Sequence, residues 1–226
     1  MRSYVRVAST RDLGEFDSGN GRPRSPERMR RYLQACALHS AGVVADSTLA
    51  ESARLDRKTA AGYHEILSVL RLIDDTPAWR SNRLKRLTAT PKRYLTDAGL
   101  AAWLAGVDFD AARHNPDARG RIIDTYVAAQ LRVEAEASVR PVQLHHLRAQ
   151  RGEHEIDLIA EFGFRVAAFE VKRASAPTRK DARHIIWLRD QMPPEQFAGG
   201  VIFHTGRHRR QIAEKIEAVP IAALWG

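Results

Sequence analysis

Apolar residues in the first third of the chain recur at helical spacing and predict three helices. The first spans about 25–41 and begins with a Ser-Pro pair that typically starts a helix. The second spans about 47–55, where Thr48 and Glu51 match a capping box. The third follows Asp56, which can cap it. The apolar face of this third helix consists of Tyr63, Ile66, Leu67 and Leu70.

A strand–turn–strand pattern follows the third helix. It predicts a strand over 72–79, a basic turn over 80–83 and a return strand near 86–89, and a further helix is predicted over 97–105. Three helices followed by a hairpin are typical of a winged helix-turn-helix, in which the hairpin is the wing.

In the second half, helices and strand-like runs predict the order α-β-β-β-α-β, a small mixed sheet with flanking helices. The predicted helices cover 122–137 and 181–192, and the predicted strands cover 142–149, 155–161, 165–171 and 200–205. Polar breaks divide the chain into a flexible segment (1–24), a winged-helix domain (25–105), a linker (106–119) and a second domain (120–226).

Charge favours a polyanionic partner. The chain carries 36 Lys and Arg against 27 Asp and Glu, and the stretch from Arg54 to Arg93 holds ten basic and four acidic residues. We therefore expect duplex DNA to contact the third helix and the wing. The predicted DNA-binding residues are Arg57, Lys58, His64, Arg80, Arg83, Lys85 and Arg86. The alternative is a solvated face on a protein-interaction module, because winged helices also mediate dimerisation.

Several classes of protein are excluded by what the sequence lacks. The single cysteine allows no disulfide framework, and no apolar run is long enough to span a bilayer, so a cytoplasmic protein without membrane contact is expected. Adjacent His145 and His146 would face opposite ways on a strand, which argues against a zinc site, and His146 is expected at the surface or on a strand face. No phosphate-binding loop is present, so the chain should have no nucleotide site and should not be an ATPase on its own.

One pattern in the second half has the chemistry of a phosphodiesterase. Asp157 lies on one predicted strand, and Glu170 and Lys172 lie on the next. Alternation places Asp157 with Glu155 on one face, away from Ile156 and Leu158, and paired strands would bring Asp157, Glu170 and Lys172 together. Two carboxylates can bind Mg²⁺ while an ammonium positions or activates water. The alternative is an ordinary set of surface ion pairs.

This arrangement resembles the PD-(D/E)xK superfamily of restriction-endonuclease-like proteins, with Asp157 and Glu170-Val171-Lys172 as its motif residues. The resemblance implies that Asp157 and Glu170 hold the metal and that an acid from the preceding helix assists. Asp124 stands at that place, where relatives usually carry glutamate.

Over nearly its whole length the chain also resembles the C-terminal domain that follows the nucleotide-binding core of many bacterial and archaeal AAA-type ATPases. The motifs are Arg11-Asp12-Leu13, Leu49-Ala50, 77–82 (PAWRSN), 90–100 (TPKRYLTDAGL), Glu155-Ile156-Asp157, 169–172 (FEVK) and 218–225 (AVPIAALW). This resemblance implies a winged helix followed by a nuclease-like fold, here without the ATPase core. The chain is then a truncated relative, a separately encoded partner of an ATPase, or a stand-alone descendant. The expected function is DNA binding with Mg²⁺-dependent cleavage, or else a catalytically inactive DNA-binding or regulatory module that works with an ATPase in trans, or an adaptor.

Overall fold

A computed structural model of the protein describes residues 25–79, 89–149 and 152–225, which form a mixed α+β structure. The helices are α1 (Pro26–Leu38), α2 (Asp46–Ser52), α3 (Arg57–Val69), α4 (Ala98–Leu104), α5 (Phe109–His114), α6 (Pro116–Ala137) and α7 (Arg183–Asp190), followed by a 3₁₀-helix (Ile221–Trp225). The strands are β1 (Gly42–Val43), β2 (Ile73–Thr76), β3 (Lys92–Leu95), β4 (Gln143–Ala149), β5 (His154–Phe162), β6 (Arg165–Lys172), β7 (Phe197–His204), β8 (Arg210–Ala213) and β9 (Ile216–Pro220). None of the helices in these ranges is long and apolar enough to cross a membrane.

Helices α1 to α4 pack around a three-stranded antiparallel sheet in the first unit of the fold. The strand order is β1-β3-β2, and Ile73 lies opposite Leu95 in the β2–β3 pair. Tyr32, Leu49 and Leu67 are almost completely buried in the core between these helices and the sheet. The predicted return strand near 86–89 falls mostly outside the described residues, and the strand that pairs with β2 in the structure is β3.

A side-chain hydrogen bond caps the start of two of the three helices predicted in the first third of the chain. Ser25 caps α1, and Asp56 caps α3 by accepting a hydrogen bond from the Thr59 amide at 2.9 Å. The predicted capping box of Thr48 and Glu51 is wrong. The second helix begins earlier, at Asp46, and its N-cap residue makes no side-chain hydrogen bond.

The segment predicted as a polar break at 106–119 is largely helical. It contains α5 and the first turn of α6. Asp108 accepts a hydrogen bond from the Ala111 amide at 2.7 Å, and Asn115 accepts one from the Ala118 amide at 3.0 Å. Pro116 takes the first position of α6, where its missing N–H costs no hydrogen bond. Polar residues here start helices rather than separate domains.

The second unit is built on a six-stranded mixed sheet of order β4-β5-β6-β7-β9-β8. The β6–β7 and β7–β9 pairs are parallel, and the other pairs are antiparallel. Val166 and Ala168 pack with residues of α7, whereas Phe169 packs with residues of α6. Alternation along β6 therefore puts α6 and α7 on opposite faces of the sheet. The predicted α-β-β-β-α-β order is present, and β8 and β9 extend it.

Buried polar contacts join the two units. Ala78 forms a parallel bridge with His146, the Trp79 amide donates to the His146 carbonyl at 2.6 Å, and the His146 amide donates to the Pro77 carbonyl at 2.9 Å. On the other side of the junction, the hydroxyls of Ser40 and Thr125 are 2.8 Å apart and fully enclosed. The sheets are thus connected through main-chain hydrogen bonds as well as side chains.

Candidate functional site

A cavity of about 520 Å³ lies at the junction of the two units. Its walls come from β1 and β3 of the first unit and from the start of α6 and strands β4, β5 and β6 of the second. The polar and charged residues that line it are Lys92, Asp117, Arg121, Asp124, His146, Arg148, Glu155, Asp157, Lys172 and Arg173. Three of the four predicted catalytic residues, Asp124, Asp157 and Lys172, are therefore lining residues, and Glu170 lies buried beside them.

Asp157 owes its position to an irregularity in β5. His145 pairs with Ile159 and Leu147 pairs with Ile156, so β5 carries one extra residue between these two pairs. The predicted strict alternation is wrong at this point. Ile156 packs with the cluster under α7, whereas Leu158 packs with the cluster under α6, so these two side chains lie on opposite faces of the sheet. The bulge brings Asp157 towards α6 and the first unit.

Lys92 is the centre of the site. Its ammonium donates to Asp124 Oδ2 at 2.7 Å and to Asp157 Oδ1 at 2.8 Å. The second oxygen of each acid is also bonded, because Tyr94 donates its hydroxyl to Asp124 Oδ1 at 3.2 Å and the Val171 amide donates to Asp157 Oδ2 at 2.9 Å. A strand of the first unit therefore binds one acid from α6 and one from β5.

Lys92, Asp124 and Asp157 are close enough to shift one another's pKa values. Burial alone would lower the pKa of Lys92, but the two carboxylates raise it well above its ordinary value. Burial alone would raise the pKa of Asp157, but the Lys92 charge and the Val171 amide lower it to about 2. Burial and the neighbouring Asp157 charge raise the pKa of Asp124 to about 6. Lys92 is thus charged throughout the physiological range.

Glu170 and Lys172 form the next part of the network. The Lys172 ammonium donates to Glu170 Oε2 at 3.0 Å. Burial, and then the negative charge of Asp157, raise the pKa of Glu170 well above its ordinary value. Only 3% of Glu170 is exposed, and its Oε1 atom has no hydrogen-bond partner among the described residues.

This arrangement does not fit a bound magnesium ion. Mg²⁺ requires oxygen ligands at about 2.0–2.1 Å in near-octahedral geometry, whereas the space between Asp124 and Asp157 contains the Lys92 ammonium. The described ranges of the chain contain no group of three or more His, Cys, Asp or Glu side chains placed to hold a metal. The magnesium cofactor stays a prediction, and the geometry shows an ion-pair network instead.

Two guanidinium groups lie at the mouth of the cavity. Arg121 and Arg173 are exposed lining residues, and the Arg173 side chain lies over the α6 backbone at Gly120. Within the described residues neither side chain has an acidic group within 4 Å, whereas Arg148 pairs with Glu155 at 2.8 Å. Asp117 is an exposed lining residue as well, so the rim carries a small excess of positive charge, and at the base Lys92 offsets part of the negative charge of Asp124 and Asp157.

The predicted DNA-binding residues have different surroundings. Arg57 and Lys58 are exposed at the start of α3. His64 is engaged within the protein, because its Nδ1 lies 3.1 Å from the Tyr32 hydroxyl and its Nε2 lies 2.8 Å from Asp75 Oδ2. The remaining four, Arg80, Arg83, Lys85 and Arg86, lie outside the described residues.

Sequence reasoning missed the role of Lys92, which it counted only as one basic residue among many. A signal was present in the run Lys92-Arg93-Tyr94-Leu95, since alternation places Lys92 and Tyr94 on one face of a strand. All four residues are buried, so this basic stretch is not a solvated one. Arg121 was missed because nothing in its local pattern distinguishes it from other arginines.

Two family models match the chain in tandem. Residues 1–111 match a domain of unknown function (DUF8612), and residues 119–224 match another (DUF4143), which is typical of proteins associated with AAA-type ATPases. The second match agrees with the ATPase-related resemblance seen in the sequence.

Two curated mycobacterial proteins are similar to the chain. They are the uncharacterized proteins Rv2008c of Mycobacterium tuberculosis and Mb2031c of Mycobacterium bovis, each 29% identical over 217 residues. These alignments cover 96% of the chain but only 46% of each relative, so the chain spans about half the length of the relatives it matches. No solved structure matches the chain significantly.

Proposed function

We propose that the protein binds the phosphate backbone of DNA and does not cut it. The observation that supports this proposal is the distribution of charged side chains in the cavity. The carboxylates at its base are paired with Lys92, whereas Arg121 and Arg173 at its rim have no acidic partner among the described residues. Phosphate groups are attracted by guanidinium groups that have no acidic partner and are repelled by carboxylates, and Lys92 reduces this repulsion.

The first unit supports the same proposal. Helices α2 and α3 are joined by a four-residue turn in which Arg54 adopts a left-handed φ of 54°, and the antiparallel β2–β3 pair follows α3. This order agrees with the expected winged helix, and we infer that α3 is the helix that approaches DNA. Arg57 and Lys58 are exposed at the start of α3, and we infer that they contact phosphates of the DNA backbone.

Magnesium-dependent hydrolysis is the second candidate function. The meeting of Asp157, Glu170 and Lys172 in one place favours it, because these are the motif residues of the nuclease-like resemblance. The Lys92 ammonium between Asp124 and Asp157 argues against it. For this reason we place non-hydrolytic binding first.

The family match suggests a partner. Because DUF4143 is typical of ATPase-associated proteins, we infer that the DNA-bound protein acts together with an AAA-type ATPase. A stable complex between the purified chain and an ATPase encoded next to it, seen by size-exclusion chromatography, would support this inference. Separate elution of the two proteins at micromolar concentration would contradict it.

Fluorescence anisotropy with a labelled duplex tests DNA binding. We expect the logarithm of the binding constant to fall linearly with the logarithm of salt concentration. Arg121→Gln and Arg173→Gln should each reduce the slope by about one, because each removes one phosphate contact. The matched control is Arg165→Gln, since Arg165 lies at the opposite end of β6 from Lys172 and is exposed.

The same protein, incubated with a duplex and Mg²⁺, distinguishes the two candidate functions. Intact DNA is expected from the non-hydrolytic proposal. Cleavage by the wild-type protein that is lost in Asp157→Asn would overturn the proposal that the protein does not cut DNA, and would support magnesium-dependent hydrolysis. Binding with no dependence on salt, or no binding, would overturn the DNA proposal and favour a protein-interaction module.

A further inference from the structure

We infer that Lys92 is a built-in cation that fills a divalent-metal position between Asp124 and Asp157, and that removing its side chain creates a metal site. This inference does not rest on DNA binding. It concerns a residue that belongs to the first unit, whereas both acids belong to the second.

The two acids are already oriented for a cation. Asp124 is held from behind by the Tyr94 hydroxyl, and Asp157 is held from behind by the Val171 amide. Their remaining oxygens, Asp124 Oδ2 and Asp157 Oδ1, point to one spot, where the Lys92 Nζ lies 2.7 and 2.8 Å away. Because neither carboxylate depends on Lys92 alone for its position, both should stay directed at this spot when the ammonium is gone.

Burial makes an empty spot unfavourable. Lys92 is 5% exposed, and the side chains of Asp124 and Asp157 are 13% and 25% exposed. Two partly buried carboxylates that face each other without a cation repel and lack the water that would otherwise stabilise them. A hard divalent cation that keeps several bound waters would balance the charge of these two carboxylates.

The ammonium and a divalent ion exclude each other. They would occupy nearly the same point, and like charges at such a distance in a poorly hydrated site repel strongly. The wild-type protein should therefore not bind a divalent ion here. The cavity, of about 520 Å³, opens this spot to solvent, so an ion can reach it once the lysine side chain is absent.

Isothermal titration with Mn²⁺ tests the inference on three forms of the intact chain. These are wild type, Lys92→Met and the control Lys58→Met, which makes the same chemical change at an exposed lysine. We expect Lys92→Met to bind one Mn²⁺ per chain at least about tenfold more tightly than the other two forms. Equal affinity in all three forms, whether measurable or absent, would overturn the inference.

Two further measurements cover the case in which Lys92→Met folds poorly. If its circular dichroism shows an unfolded chain, recovery of the folded spectrum with Mn²⁺ supports the inference. If there is no recovery, Lys92→Gln decides, because it removes the positive charge while keeping a polar group beside the two carboxylates. A folded Lys92→Gln variant that binds Mn²⁺ more tightly than wild type supports the inference, and one that binds no more tightly overturns it.

Discussion

His146 shows how a single buried polar residue connects the two units. Its backbone pairs with Pro77 and Trp79, and its Nε2–H donates to the Thr90 carbonyl at 3.2 Å. Only 2% of the residue is exposed, so the expectation of a surface histidine is wrong, whereas its position on β4 agrees with the alternative of a strand-face histidine. Burial lowers its pKa to about 4, so the ring is neutral in the folded protein at ordinary pH.

This pKa predicts a loss of stability in mild acid. The unfolded chain protonates His146 below about pH 6.5, whereas the folded protein does so only near pH 4. Folding therefore loses stability as pH falls through this window, by an amount on the order of 3 kcal/mol for the full shift. His146→Asn should unfold at a temperature that changes less between pH 7.5 and pH 4.5. An unchanged pH dependence in differential scanning calorimetry would contradict the assignment.

At this scale the sequence predicted part of the site. Asp157, Glu170 and Lys172 were found because their spacing along two neighbouring strands is local information. The contacts of Lys92 join residues 32 and 65 positions apart, so no periodicity in the sequence reports them. The direction of the Asp157 side chain could not be predicted from the sequence either, because the bulge depends on how β5 pairs with β4.

At the scale of elements, α7 packs closely onto the middle of the second sheet. A Cβ added at Gly200 would lie 2.5 Å from the Ile185 Cγ2, and one added at Gly199 would lie 3.5 Å from the Lys215 carbonyl oxygen. The first distance is a clash and the second is an ordinary contact. The absence of a side chain at Gly200 therefore allows the helix to approach the central strands.

Gly200→Ala should destabilise the fold by about 1–3 kcal/mol, because the new methyl group forces Ile185 or the helix to move. Gly199→Ala is the matched control, and its effect should be smaller than that of Gly200→Ala. Urea unfolding followed by far-ultraviolet circular dichroism gives both values. Equal losses in the two variants would show that the packing of α7 is not the cause.

Element boundaries were predicted best where a side chain determines them. Asp56 begins α3 as expected, because its carboxylate accepts the Thr59 amide hydrogen bond. The polar break at 106–119 was read as a linker, although Asp108 and Asn115 serve there as helix caps. Strands β8 and β9 were missed because they are short, and only the pairing of β9 with β7 and of β8 with β9 identifies them as strands.

For the whole molecule, the junction argues for one cooperative unit. Lys92 is bonded to both Asp124 and Asp157, and an ion pair joins Arg132 of α6 to Asp74 of β2. Main-chain hydrogen bonds also connect the segment after β2 to β4. Separation of the two units would expose buried charges and unpaired backbone groups, which is costly.

We therefore expect the intact chain to unfold in a single thermal transition. Calorimetric and van't Hoff enthalpies should agree, and near- and far-ultraviolet circular dichroism should give the same midpoint. Two resolved transitions would show that the halves unfold independently.

The cation of this site is covalently attached. It cannot be dialysed away, stripped by a chelator or exchanged for a competing ion, and its occupancy does not vary with the free magnesium of the surroundings. Whatever the carboxylates at 124 and 157 contribute is therefore fixed when the polypeptide is synthesised and folded, since their counter-ion is encoded in the chain itself.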